Sequence, residues 1–337
     1  MNNFINFEVQ NKTGIIHFNR PKALNALNLE MAELFLHKLK EWQSDSSIKR
    51  VLLTGEGKAL CVGGDIKSLF LSSGKSNLKK SFLQTEYTLN YEISEFTKPY
   101  LSIWNGIVMG GGVGISIYGN ARLATEKTKF AMPETGIGFF PDVGGSYFLS
   151  RLSKGMGLYL GLTGHILNAT EILALGLATH YQCSNNISSI QREYICNGSL
   201  SDNKQPPLES SEILEHQDFI QNTFHGDLLS IMNRLNHSPV LFAKKTYAHL
   251  LKRCPMSLAV TVELLNRAEH LSLRNCLKME FQLSQYIVYR DDFNEGINSV
   301  LISKTHNPKW NPQTINDINF IEVKSFFDPH VKPLNIE

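Results

Sequence analysis

Two carboxylates, Glu134 and Asp142, stand eight positions apart in Met132-Pro133-Glu134-Thr135-Gly136-Ile137-Gly138-Phe139-Phe140-Pro141-Asp142-Val143-Gly144-Gly145. Proline fixes the backbone ahead of Glu134 and so aims the side chain that follows. Phe130, Met132, Phe139 and Phe140 surround it in sequence. Desolvation by such neighbours should raise its pKa, which suits a general base or a nucleophile. The plainer alternative is a solvent-exposed loop glutamate. Asp142 lies just before Gly144-Gly145, where a helix is expected to open, and aspartate is also a common helix N-cap. A third feature is Gly110-Gly111-Gly112, directly before the apolar run 113–117. Glycine lets backbone amides approach a ligand with no side chain in the way. A helix N-terminus adds a dipole that favours negative charge. These are parts for holding a developing oxyanion, although the same glycines also serve to make a tight turn.

Several common chemistries have no local signature. The dinucleotide spacing GxGxxG fails across residues 106–119. Gly74-Lys75-Ser76 resembles the end of a phosphate loop, but Leu69 stands where its first glycine belongs. The GxSxG elbow fails at Ser116 and at Ser146, and there is no HExxH pair among the eleven histidines. Five cysteines without a CxxC pair argue against a disulfide framework or a structural zinc site. Thirty-three basic against thirty-one acidic residues give a net charge of +2, too even for a nucleic-acid footprint. The first residues lack the basic start and long apolar run of a secretory signal, and no segment nears the roughly 20 apolar residues that span a bilayer. A soluble, cytoplasmic protein is expected.

In chain order, Lys58-Ala59-Leu60-Cys61-Val62-Gly63-Gly64-Asp65, Gly106-Ile107-Val108-Met109-Gly110-Gly111-Gly112-Val113-Gly114 and the Met132–Gly145 stretch resemble the crotonase superfamily of CoA-ester enzymes. Arg20-Pro21-Lys22-Ala23-Leu24-Asn25-Ala26-Leu27 adds a fourth match. Pro133-Glu134-Thr135 and Phe140-Pro141-Asp142-Val143-Gly144-Gly145 are similar to the 3-hydroxyisobutyryl-CoA hydrolases within it. So are Cys276-Leu277-Lys278-Met279-Glu280-Phe281-Gln282-Leu283-Ser284-Gln285 and Pro308-Lys309-Trp310. The likeness runs almost end to end and is weakest through 184–260.

The resemblance implies hydrolysis of a short 3-hydroxyacyl-CoA, 3-hydroxyisobutyryl-CoA in valine breakdown, with no metal or redox cofactor. It makes Glu134 the base or nucleophile and gives Asp142 the substrate's hydroxyl and a share in proton transfer. The oxyanion amides fall to Cys61 and Gly111. Glu86, Gly110, Ala59, Gly63 and Asp65 become substrate contacts. Lys22, Lys58 and Lys67 flank the motifs as partners for the CoA phosphates, although each alone reads as an ordinary solvated lysine. Gly114 stands where enoyl-CoA hydratases carry a second glutamate, which disfavours hydration. An altered hydratase or isomerase, or a silent CoA-ester- or RNA-binding relative, are the alternatives. Leu60, Val62 and Ser146 depart from the branch and put the acyl group in doubt more than the reaction. The partner is thus a small acyl-CoA, with a homo-oligomer compatible and neither nucleic acid nor membrane expected.

The elements that must carry these residues read as an α/β fold. Residues 4–9 and 15–18 form a hairpin pattern around Asn11-Lys12-Thr13-Gly14. Leu29, Ala32, Phe35, Leu36, Leu39 and Trp42 recur at helical spacing. Residues 51–54 and 100–104 are buried-strand signals about 49 positions apart, each followed by a glycine loop. That spacing suggests stacked strand–loop–helix turns with both loops on one face. Short strands follow at 121–125 and 129–132, and helices at 144–152, 155–162 and 170–175. Residues 184–210 are rich in Ser, Asn and Gln, contain Pro206-Pro207, and read as a linker or a long excursion. The expected organisation is a crotonase-like spiral of ββα units over 1–185, and a linker with a mostly helical region over 186–337.

Overall fold

The computed structural model describes residues 4–72, 77–153, 155–200 and 210–336. The Gly74-Lys75-Ser76 and Pro206-Pro207 segments lie outside the described residues. The chain divides into two compact units, the first made of Met1–Asp65, Thr85–Ala131 and Ile166–Ser211, the second of Ile66–Gln84, Met132–His165 and Glu212–Glu337. The boundary expected near 185 falls inside the first unit, within the short 3-10 turn Ser184–Asn186.

Among the described residues the first unit contains nine strands. They are β1 (Ile5–Gln10), β2 (Thr13–Phe18), β3 (Arg50–Gly55), β4 (Ala59–Cys61), β5 (Tyr100–Trp104), β6 (Ile107–Met109), β7 (Ala121–Ala124), β8 (Lys129–Ala131) and β9 (His180–Tyr181). The hairpin β1–β2 turns through Asn11 and Lys12, both at positive φ, the arrangement a tight two-residue turn requires. Six strands form one sheet in the order β1-β2-β3-β5-β7-β9, and three form another in the order β4-β6-β8. Each chain segment β3–β4, β5–β6 and β7–β8 therefore gives one strand to each sheet. Because β3 pairs with β5, β5 with β7, β4 with β6 and β6 with β8, all parallel, successive segments stack as turns of a spiral. The repeat spacing seen in the sequence is this stacking. All five residues of β5 are buried, as expected of a parallel strand covered on both faces.

One sequence reading needs correction. Residues 187–197, expected as linker, form the helix Ile187–Asn197. Ile187, Ile190 and Tyr194 recur at helical spacing and pack on Leu52, Leu101, Ile103 and Leu123 of the large sheet. Burying each such side chain contributes roughly 1.5–3 kcal/mol, enough to order a segment whose composition is otherwise polar.

The second unit is helical and has no strand among the described residues. Its longest helices are Pro255–Ala268 and Leu273–Ile287. Among the described residues no helix is long and apolar enough to cross a membrane.

Candidate active site

In the first unit the glycine loops after β4 and β6 lie side by side. A Cβ on Gly63 would meet the Gly111 amide nitrogen at 3.2 Å, and one on Gly112 would meet the Cys61 carbonyl at 2.1 Å. Only glycine at 112 permits that approach. Gly110 turns the chain at φ 50° and starts the short helix Gly111–Gly114. Its carbonyl accepts from the amides of Val113 and Gly114 at 2.8 and 3.3 Å. The first amides of a helix have no partner within it, and here Gly111 supplies the first. All four residues of this helix are buried, Gly114 included. The apolar run 113–117 thus continues only briefly as helix.

Asn25 anchors the loop that ends β4. Held at φ 58° and fully buried, its side chain accepts from the Arg20 amide at 2.8 Å and donates to the carbonyls of Glu56 and Ala59 at 2.9 and 2.7 Å. Leu27 donates to Gly63 at 2.8 Å and accepts from Asp65 at 2.7 Å. The Asp65 carboxylate meets the Arg20 guanidinium at 2.8 Å. Ala59, Gly63 and Asp65, expected as substrate contacts, therefore use a carbonyl, a carbonyl and a carboxylate to hold the loop. This is the physical content of the Arg20–Leu27 motif, whose central Asn25 was not singled out from the sequence.

Cys61 is fully buried, and its thiol is pushed up to about 12, chiefly by burial and further by the nearby Glu86 charge, against the opposing Gly63 amide bond. A thiol so placed is a poor nucleophile at neutral pH. Glu86, on the helix Leu78–Ser94, is 2% exposed, and its Oε1 would lie 2.1 Å from a Cβ on Gly111. The structure brings together Cys61, Gly63, Gly110, Gly111 and Glu86. Lys22 and Lys58 of this unit are exposed, as is Lys67 of the other.

The second unit carries the carboxylates, and both are buried, Glu134 and Asp142 each at 6% exposure. Glu134 opens the 3-10 turn Glu134–Ile137, and its carbonyl accepts from Phe139 at 3.0 Å. The loop is laid along the helix Met156–Thr163 by three anchors. Pro133 packs on Gly164, the Thr135 hydroxyl donates to Leu162 at 3.0 Å, and Pro141 packs on Gly161. Behind it Phe139 stacks on Phe140 at 4.5 Å and tilts against Phe293 at 5.4 Å. The exposed-loop alternative for Glu134 is thereby excluded.

After Asp142 the backbone runs through Val143 at φ 54° and Gly144 at φ 80° into the helix Gly145–Leu149, shorter than the 144–152 expected. The Asp142 carbonyl accepts from Gly145 at 2.7 Å. The side chain that caps the helix comes from Glu280, on Leu273–Ile287. Its Oε2 accepts from the Gly144 amide at 2.6 Å, and its Oε1 from the Ser146 amide at 3.0 Å and hydroxyl at 2.5 Å. Glu280 is fully buried, and burial above all, with the Asp142 charge adding, pushes its carboxyl up to about 8 despite these bonds. Local spacing gave no sign of this contact, because the partners lie 134 to 136 residues apart. Among the described residues no group of three or more His, Cys, Asp or Glu side chains is placed to hold a metal ion.

A family model described as enoyl-CoA hydratase/isomerase matches residues 13–327. The chain belongs to that family. Among curated relatives, the 3-hydroxyisobutyryl-CoA hydrolase, mitochondrial, of Danio rerio is 40% identical over 329 residues, covering 93% of this chain and 86% of its own length. The Homo sapiens protein of the same name is 37% identical over 331 residues, covering 94% and 86%. Among solved structures, a carnitinyl-CoA dehydratase from Mycobacterium thermoresistibile aligns at TM-score 0.93 and 36% identity over 99% of both chains. An enoyl-CoA hydratase from Rhodobacter sphaeroides aligns at 0.91 and 30% over 97% of both. Family members of such similar fold thus carry different reaction names, and fold alone does not choose the chemistry.

Proposed function

We propose that the protein hydrolyses 3-hydroxyisobutyryl-CoA, a step of valine breakdown, releasing 3-hydroxyisobutyrate and CoA. The observation that carries this reading is the distribution of carboxylates. Glu134 and Asp142 are both buried in one loop, while position 114 is a buried glycine that offers neither acid nor base. Hydrolases of this name among the relatives support the same reaction.

In this reading the amides of Gly111 and Cys61 receive the negative charge that develops on the thioester oxygen. Each such donor contributes roughly 3 kcal/mol to transition-state stabilisation. Glu134 acts on the carbonyl carbon, either directly as nucleophile or by taking a proton from water. Asp142 binds the 3-hydroxyl and assists proton transfer, and Glu86 contacts the acyl part from beside Gly111. Lys22, Lys58 and Lys67 serve the CoA phosphates. Water and thioester balance the reaction, so we propose that no metal or redox cofactor takes part; dialysis against a chelator is expected to leave the rate unchanged.

The five unpaired cysteines favour a reducing compartment. We propose the cytoplasm, and since several relatives are named mitochondrial, organelle fractionation is the test. The even charge balance favours a small-molecule partner over nucleic acid, and a homo-oligomer is compatible with it.

The deciding experiment is thiol release from a panel of 3-hydroxyacyl-CoA esters. The 3-hydroxyisobutyryl ester is expected to be the best substrate, and Glu134→Gln to lower its turnover at least about 10³-fold, the scale of losing an acid–base group together with its positioning. Normal turnover in that variant would overturn the mechanism. A hydratase is the second reading, favoured by the reaction names of the two solved neighbours. Loss of enoyl absorbance without thiol release would select it.

A further inference from the structure

Glu280 has no assigned part in the chemistry, yet it is fully buried and makes three hydrogen bonds to residues just past Asp142. A carboxylate without such partners would not tolerate complete burial. The backbone it holds is strained. Val143 sits at φ 54°, a region that β-branched residues almost never occupy. Gly144 follows at φ 80°. Strained conformations persist only when their surroundings over-determine them. The contacts that hold this turn include the Glu280 oxygens on the Gly144 and Ser146 amides and the Asp142–Gly145 backbone bond.

We infer that Glu280 is a positioning residue for Asp142, fixing the Val143–Gly144 turn so that the Asp142 carboxylate is presented in one orientation. The inference rests on the reading of Asp142 given under the proposed function. It also gives Ser146 a part. Its hydroxyl adds a third bond to the Glu280 cap, at 2.5 Å. A carboxyl group in either protonation state accepts through both oxygens, whereas the nitrogen of a glutamine accepts nothing. Glu280→Gln therefore keeps the volume and leaves at least one cap amide facing a donor.

The test is a double-mutant cycle on thiol release. Glu280→Gln alone is expected to lower kcat about 10–100-fold with KM changed less than about 3-fold. In an Asp142→Asn background the same substitution is expected to change the residual rate less than about 3-fold, because there is no carboxylate left to position. An equal loss in both backgrounds would make Glu280 a general scaffold residue and overturn the inference, as would an unchanged kcat in the single variant. If Glu280→Gln yields no folded protein, Ser146→Ala decides. A 2–5-fold loss of kcat that disappears with Asp142→Asn supports positioning, and a wild-type kcat sinks it. Wild-type activity of Asp142→Asn itself would instead remove the role of Asp142, a separate failure.

Discussion

The amide loops of the first unit and the carboxylate loop of the second are held by different means. The amides belong to backbone already fixed by pairing between β4 and β6, and Asn25 anchors them from a nearby turn. The carboxylates are side chains on irregular backbone, held by proline–glycine contacts along one helix and by a cap from a helix far along the chain. Backbone donors need only the right register and small residues. Side-chain acids need a supporting shell, because their own torsions are free. The first kind of site is expected to fail when a glycine or the Asn25 anchor changes; the second is expected to fail in steps.

The sharpest way to break that contrast is Gly112→Ala. Its Cβ would meet the Cys61 carbonyl at 2.1 Å, and backbone cannot swing aside as a side chain can. Loss of the oxyanion geometry should lower kcat about 10²–10³-fold, accompanied by a fall in Tm; near-normal turnover would show that the loop spacing is not what matters. Next in size, Asn25→Ala removes three hydrogen bonds, one of them fully buried, at a non-glycine residue of positive φ. It should cost about 2–3 kcal/mol in denaturant unfolding, and a loss under about 0.5 kcal/mol would deny Asn25 its anchoring part.

The cap of the carboxylate loop carries a pH signature. Glu280 in the folded protein titrates at about 8, above the ordinary carboxylate value, so the folded state holds its proton over a range where the unfolded chain has released it. Its favourable share of stability is thus present at acid pH and is lost as pH rises to about 8. The Tm of wild type relative to Glu280→Gln should therefore decline between pH 5 and 8, and parallel curves would refute the assignment. The smallest effect is expected at Cys61→Ala. With the thiol pushed up to about 12 and only its backbone amide used, thiol release should stay within about 3-fold, and a dead variant would implicate the sulfur.

The two glycine loops were legible in the sequence because strands about 49 positions apart each lead into one, while the choice of Cys61 and Gly111 came from the resemblance. The repeat suggested stacked turns, and the spiral came from the resemblance. Glu134 and Asp142 were legible through their motif, but Phe293, Gly161 and Gly164, which pack on Phe139, Pro141 and Pro133 of their loop, were not. The helix at 187–197 was missed because its polar composition masked Ile187, Ile190 and Tyr194, whose spacing held the signal. Glu280 was quoted only as part of a motif, since nothing local marks a side chain that caps a helix 136 residues earlier.

That distance also sets an order of events while the chain is being made. The bonds described for the amide loops come from residues up to Ala131. The turn after Asp142 must wait for Glu280. A nascent chain released between those two points would carry the glycine loops after β4 and β6, and a carboxylate loop still lacking its cap.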